Sequence, residues 1–260
     1  MQLSLYQIDA FSSKVFAGNS AAICPLERWL DDATMQAIAA ENNLAETAFF
    51  VPEGDGFGLR WFTPTVEVDL CGHATLASGW LLLNRLQPTR DRITFQTRSG
   101  ALIVTRDGKR MVMDFPSVPA EPVAPCPGLI EALGAKPSAV LASRNYLVVY
   151  DAAETVRRLQ PDLAGIAKAD RFGVIVTAPG DGGYDCVSRF FAPARGVPED
   201  PVTGSAHCTI VPYWAKRLGK PDLLCRQASP RGGDLYCRDR GERVTLAGDC
   251  AFYMQATIEI

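Results

Sequence analysis

The sequence predicts an α+β protein of two similar halves, each a set of strands curled around one central apolar helix. Three observations predict it. Cys71-Gly72-His73-Ala74 in the first half is matched by Thr203-Gly204-Ser205-Ala206 in the second. Similar aromatic–proline phrases lead into them, Trp61-Phe62-Thr63-Pro64 and Phe190-Phe191-Ala192-Pro193. Both open apolar helices of equal register, Gly72 to Arg85-Leu86 and Gly204 to Arg217-Leu218.

The first half begins with strand signals over Leu3 to Phe11, where β-forming residues alternate. A helix is expected over Asp31 to Asn42, with Asp31 and Asp32 at the end where negative charge is favoured. Strands follow at Thr47 to Val51, Leu59 to Phe62, Ile93 to Thr97, Ala101 to Thr105 and Arg110 to Phe115, punctuated by Gly, Asp and Pro. Thr75 to Leu83 has no wide polar face, so protein must surround that helix. A sheet curled around it buries it and removes exposed strand edges.

Ser117 to Pro127 carries Pro119, Pro122, Pro125 and Pro127 directly after Pro116 and shows no periodicity, which marks a linker. Beyond it, strands are expected at Ala139 to Ala142, Tyr146 to Tyr150, Phe172 to Thr177 and Tyr184 to Phe191, with a helix near Ala153 to Gln160. After the second apolar helix come Leu223 to Ala228, Asp234 to Arg238, Arg243 to Leu246 and Ala251 to Ile258. Pro212 lies inside that helix and is expected to kink or interrupt it.

The bulk numbers narrow the function. At 260 residues, two domains are natural, and 47% apolar residues suffice for their cores. A net charge of −3 with scattered basic residues gives no case for nucleic acid or an anionic membrane surface. The start has no signal-peptide pattern, and no apolar run approaches a membrane span, so a cytoplasmic protein is expected. Eight cysteines form no C-x-x-C pair and only two histidines exist, so no metal site is expected and the thiols read as reduced core residues. No G-x-G-x-x-G motif follows a strand. A homodimer is the default expectation for a cytoplasmic protein of this size.

Four blocks resemble the phenazine-biosynthesis isomerase-like (PhzF-like) family: Phe11 to Ala22, Asn43-Leu44-Ala45-Glu46-Thr47-Ala48-Phe49, Asp69 to Thr75, and Glu199-Asp200-Pro201-Val202-Thr203-Gly204-Ser205-Ala206-His207. They occur in the family's order and span most of the chain. The resemblance implies the diaminopimelate-epimerase-like fold: two pseudo-symmetric barrels, each around a helix, with the active site between them. It implies domains at 1–116 plus about 251–260, and at 117–250, the last strand returning to the first domain.

The resemblance makes Glu46 the acid/base that moves a substrate proton. A carboxyl flanked by Leu44, Ala45 and an apolar strand also suits a group that must hold a proton part of the time. His73 is implied as its site partner, able to hold an anion or relay a proton. Asp200 is implied to orient substrate or share proton handling. Gly72, Ala74, Gly204 and Ser205 lie at helix starts, whose unpaired N–H groups suit an anionic substrate. Asn19 and Ser20 are further substrate-binding candidates, and His207 reads as a packed residue.

Cys71 separates two reaction types. Epimerases and racemases of this fold use two opposed cysteines. This chain has Cys71 in its first half but no cysteine at the matching place of the second, because Cys208 falls five residues after Thr203. The expectation is therefore a cofactor-independent isomerase acting on a small carboxylate-bearing metabolite through Glu46. An amino-acid racemase or epimerase of the same fold, and a metabolite-binding protein without turnover, are the alternatives.

Overall fold

The computed structural model describes residues 1–260. The elements through the middle of the chain are β1 (Gln2–Ala10), β2 (Asn19–Pro25), α1 (Asp32–Asn42), β3 (Glu46–Glu53), β4 (Gly56–Phe62), β5 (Glu67–Val68), α2 (Gly72–Leu81), β6 (Arg92–Thr97), β7 (Gly100–Asp107) and β8 (Arg110–Pro116). Then come β9 (Glu121–Pro122), α3 (Leu129–Leu133), β10 (Ala139–Ala142), β11 (Tyr146–Val149), α4 (Ala153–Arg158), α5 (Leu163–Ile166), β12 (Val174–Pro179) and β13 (Cys186–Phe191). The last elements are α6 (Gly204–Leu218), β14 (Asp222–Gln227), β15 (Gly233–Asp239), β16 (Arg243–Gly248) and β17 (Cys250–Glu259). The chain divides into two compact units, Met1–Asp114 with Ala247–Ile260, and Phe115–Leu246.

In the first unit β1 pairs antiparallel with both β2 and β17, the latter running from Gln2↔Glu259 to Ala10↔Cys250. Two parallel pairs follow, each requiring a crossover. β2 lies parallel to β3 with α1 between them in sequence, and β4 lies parallel to β6 with α2 between them. These crossovers give the two helices different surroundings. α1 starts at Asp31, whose Oδ1 accepts from the Thr34 N–H at 2.9 Å, and ends at Asn43 in the left-handed region at φ 47°. It sets Met35, Ile38 and Ala39 against Leu5, Ala22, Cys24, Phe49 and Phe62. α2 packs against β1, β2, β3, β7 and β17, and His73 through Gly79 are all buried, as the lack of a polar face requires.

Gly79 is where α2 approaches β7 most closely. A Cβ there would stand 2.5 Å from Val104 Cγ1. Gly79→Ala is therefore expected to destabilise the protein by about 1–3 kcal/mol through overpacking, although alanine is the better helix former. Urea denaturation measures it; a stabilised variant would contradict this packing. Beyond Leu81 the chain continues as a wider π-type turn, Leu82–Leu86, closed by Gln87 N–H donating to the Leu82 carbonyl at 2.6 Å.

The second unit repeats the plan. β11 lies parallel to β12 across α4 and α5, and β13 lies parallel to β14 across α6. α3, α4 and α5 cover a core that includes Leu133, Val148, Val156, Ile166, Val176 and Phe191. α6 packs on β14 and β15, and its Trp214 donates Nε1–H to Thr177 Oγ1 at 2.9 Å.

One sequence expectation is narrowed here and another corrected. α6 is not interrupted at Pro212 and runs from Gly204 to Leu218. Proline has no N–H for the Cys208 carbonyl four residues back, and Val118 N–H fills that role at 2.9 Å. The supposed linker is accordingly docked on the second unit. Pro122 and Glu121 form the short strand β9 against Leu141 and Ala142, an edge position where proline's missing donor is tolerated. No helix is long and apolar enough to cross a membrane.

Candidate active site

The strongest constellation lies in the first unit, where the crossovers bring three chemistry-bearing residues together. Glu46 is the first residue of β3, directly after the α1 crossover. Cys71 is the N-cap of α2, and His73 is that helix's second residue. The carboxylate, thiol and imidazole ligand atoms all lie within 4.8 Å of one another. His73 Nε2 stands 3.1 Å from Glu46 Oε2, and His73 Nδ1 stands 3.5 Å from Cys71 Sγ. The Glu46–His73 contact has ion-pair distance, yet neither atom makes a directed hydrogen bond. The contact is electrostatic. His73 is 5% exposed, whereas the Glu46 side chain keeps 18% exposure and is the open member of the trio.

Protonation follows from these contacts. Burial, with the Glu46 charge beside it, pushes the Cys71 thiol up to about 11, so it is protonated at neutral pH. This reverses the usual effect of a helix N-terminus, which lowers a thiol's pKa. Burial alone would favour a neutral His73 ring. The ring's interactions with Cys71 and Glu46 outweigh burial and hold the imidazole well above its ordinary value. With the thiol protonated, the Glu46 carboxylate is the charge responsible.

A folded-state value raised in this way stabilises the protein fully below pH 6.5, His73's ordinary value, and less as pH rises through the folded value. The wild-type protein should therefore lose stability between neutral and alkaline pH, and His73→Gln should lose less over the same interval. Equal slopes in chemical denaturation would contradict the ion pair.

Asn19 and Ser20 open β2, and the next residue, Ala21, is the cross-strand partner of Glu46. Both are buried, and Ser20 Oγ accepts from Gln7 Nε2 at 2.8 Å. The preceding turn needs Gly18 at φ +70°, where a Cβ would strike the Ala10 carbonyl oxygen at 2.2 Å. Gly72 and Ala74 flank His73 in the first turn of α2. The Cys71 side chain does not cap that turn, and the leading amides carry the partial positive charge of a helix start.

Asp200, Gly204 and Ser205 belong to the second unit. Asp200 Oδ2 accepts from Thr203 Oγ1 at 2.5 Å, Gly204 is buried and Ser205 is exposed. Thr203 is the N-cap of α6, the same place in its unit that Cys71 holds in the first. His207 is fully buried, with Nδ1 2.8 Å from the Thr203 carbonyl oxygen, and burial lowers its pKa. Cys208 is buried one turn along α6, and burial pushes its thiol up to about 12.

Two supports of the Asp200 loop were not apparent from the sequence. Gln227, fully buried, accepts from Thr203 N–H at 2.8 Å and donates Nε2–H to the Asp200 carbonyl at 2.8 Å. Arg189 donates Nε–H and a terminal N–H to the two Glu199 oxygens at 2.7 and 2.9 Å, and also donates to the Val156 and Leu159 carbonyls. Glu199 beside Asp200 is the one sequence signal of this clamp; nothing local marks Gln227. Two surface depressions, of about 440 Å3 lined by Glu53 to Gly56 with Thr94 and Gln96, and about 280 Å3 around Glu131 and Asp162, contain none of the candidate residues.

The sequence profile of the phenazine biosynthesis-like protein family matches residues 8–256. An uncharacterized isomerase of Pseudomonas aeruginosa is 51% identical over 260 residues, covering all of both chains. The crystal structure of a PhzF-family phenazine biosynthesis protein from Enterococcus faecalis superposes with a TM-score of 0.97 at 43% identity, covering all of both chains. A predicted epimerase of Pseudomonas aeruginosa matches with a TM-score of 0.75 at 23% identity, covering 98% of this chain and 99% of that one, a likeness of fold. These matches agree with the two strand-wrapped helices and with the diaminopimelate-epimerase-like fold class. The chain belongs to the phenazine biosynthesis-like protein family.

Proposed function

We propose that this protein is a cofactor-independent isomerase in which the Glu46 carboxylate moves a proton between two carbons of a small carboxylate-bearing metabolite. The observation that carries the reading is the Glu46–His73 pair: a partly exposed carboxylate held 3.1 Å from a buried imidazole. The isomerase name of the 51% identical relative is consistent with it.

The chemistry balances with one acid/base group. Glu46 removes a proton from a carbon next to a double bond or carbonyl, and the electron pair shifts along the conjugated system. The same carboxyl returns the proton to the far carbon on the same face. His73, held positive, keeps one carboxylate oxygen oriented and leaves the other for the substrate. The helix start of α2 is suited to the substrate carboxylate. Asp200 and Ser205 are proposed as substrate-handling residues of the second unit.

A two-thiol epimerase is disfavoured. The cap position of α6 is Thr203, its hydroxyl engaged with Asp200, and the thiols of Cys71 and Cys208 are both protonated at neutral pH. The test is proton–deuterium exchange in D2O over a panel of small unsaturated and keto carboxylates, read by NMR. Exchange by the wild-type protein that is lost in Glu46→Gln supports the reading. Exchange that persists in Glu46→Gln, or tight binding of a panel member with no exchange, overturns it.

A further inference from the structure

We infer that Glu46, Cys71 and His73 form a binding site for a thiophilic divalent cation of the zinc class, which competes with the proposed proton transfer. Sequence spacing hides this site, because Glu46 precedes Cys71 by 25 residues and the β3-to-α2 path joins them only in the fold. The donor set is one thiolate, one imidazole nitrogen and one carboxylate oxygen, a mixture that zinc accepts. Zinc bonds of about 2.0–2.3 Å in tetrahedral geometry place sulfur and nitrogen ligands about 3.5 Å apart. Cys71 Sγ and His73 Nδ1 already stand at 3.5 Å. All three donors lie within 4.8 Å of one another, so a shift of the flexible Glu46 side chain completes the set.

A second observation points the same way. Glu46 Oε2 is a buried oxygen whose close neighbour is His73 Nε2 at 3.1 Å, without a directed hydrogen bond, so it has acceptor capacity left for a cation held at Nδ1. Metal would enter by Glu46, the exposed member, and a fourth position stays open for water or a substrate oxygen. Binding replaces the thiol proton and the proton of the coordinating ring nitrogen with the metal and releases both to solvent. The site itself stands on geometry. Only its inhibitory effect rests on Glu46 being the acid/base.

The test uses the full chain, stripped with a chelator and titrated with Co2+, whose bond to a thiolate gives a near-ultraviolet charge-transfer band. Zn2+ affinity is then read by competition with a chromophoric chelator. One Co2+ per chain with a thiolate band is expected. The band should vanish in Cys71→Ser and persist in Cys225→Ser, which alters the separate buried thiol group of Cys186, Cys225 and Cys237. Zn2+ affinity should fall by more than about tenfold in Glu46→Gln, which keeps the thiol and a partly exposed side chain in case Cys71→Ser folds poorly. No band, a band that survives Cys71→Ser in folded protein, or a band lost in Cys225→Ser overturns the site. None of these readings uses substrate, so a failure of the proposed isomerase chemistry leaves the result intact. If that chemistry holds, Zn2+ should abolish the wild-type deuterium exchange.

Discussion

Replacing Glu46 with glutamine should lower turnover by about 10²–10⁴-fold, the usual contribution of a positioned acid/base. The substitution preserves size and partial exposure; it removes the capacity to carry a proton and, with it, the negative charge facing His73. Glutamine can still face His73, so the fold and the first turn of α2 should be undisturbed. Ligand binding should accordingly change far less than turnover. Glu46→Asp shortens the reach of the carboxylate but keeps its chemistry, so it should retain more activity than Glu46→Gln. Equal loss in the two, accompanied by a fall in melting temperature, would assign Glu46 to structure instead.

Arg189→Met is the largest expected loss of stability, about 3–5 kcal/mol. Its guanidinium is buried and meets Glu199 with two parallel hydrogen bonds while also satisfying the carbonyls of Val156 and Leu159. Methionine fills the stem's volume but strands a mostly buried carboxylate and two carbonyl oxygens. Against a typical total of about 5–15 kcal/mol, that loss is a large share. Much of the effect is the stranded charge, so Arg189→Met combined with Glu199→Gln should recover part of it. Chemical denaturation of the two single variants and the double variant measures the coupling. Additive losses would show that the pair contributes nothing jointly.

The parts of the fold legible in the sequence were those written in local pattern. The unbroken apolar stretch after Gly72 announced a helix enclosed by protein, and the alternating segments announced most strands. β2 was missed because Ser20-Ala21-Ala22 carries little β-branched character and its extended state is stabilised by β1 and β3 on either side. α3 and α5 were missed because helices of five and four residues have no readable period. Pro212 does not interrupt α6 because the carbonyl it leaves without a donor is served by Val118, about ninety residues earlier in the chain. At the candidate site, Glu46 and His73 were marked by motif, but their contact with each other and with Cys71 depends on the crossovers. The Gln227 staple depends on β14 passing behind Thr203, a tertiary fact without a local signature.

The central claim, one carboxylate removing and returning the same proton, is tested most directly by isotope return. A substrate found in the exchange panel would be deuterated at the carbon that loses its proton and converted in H2O under single-turnover conditions. A single-base transfer predicts that a measurable part of the deuterium reappears at the accepting carbon in wild type and in Cys71→Ala, and that Glu46→Gln gives no product. Complete loss of label to solvent, with activity abolished by Cys71→Ala, would contradict it and point to thiol chemistry.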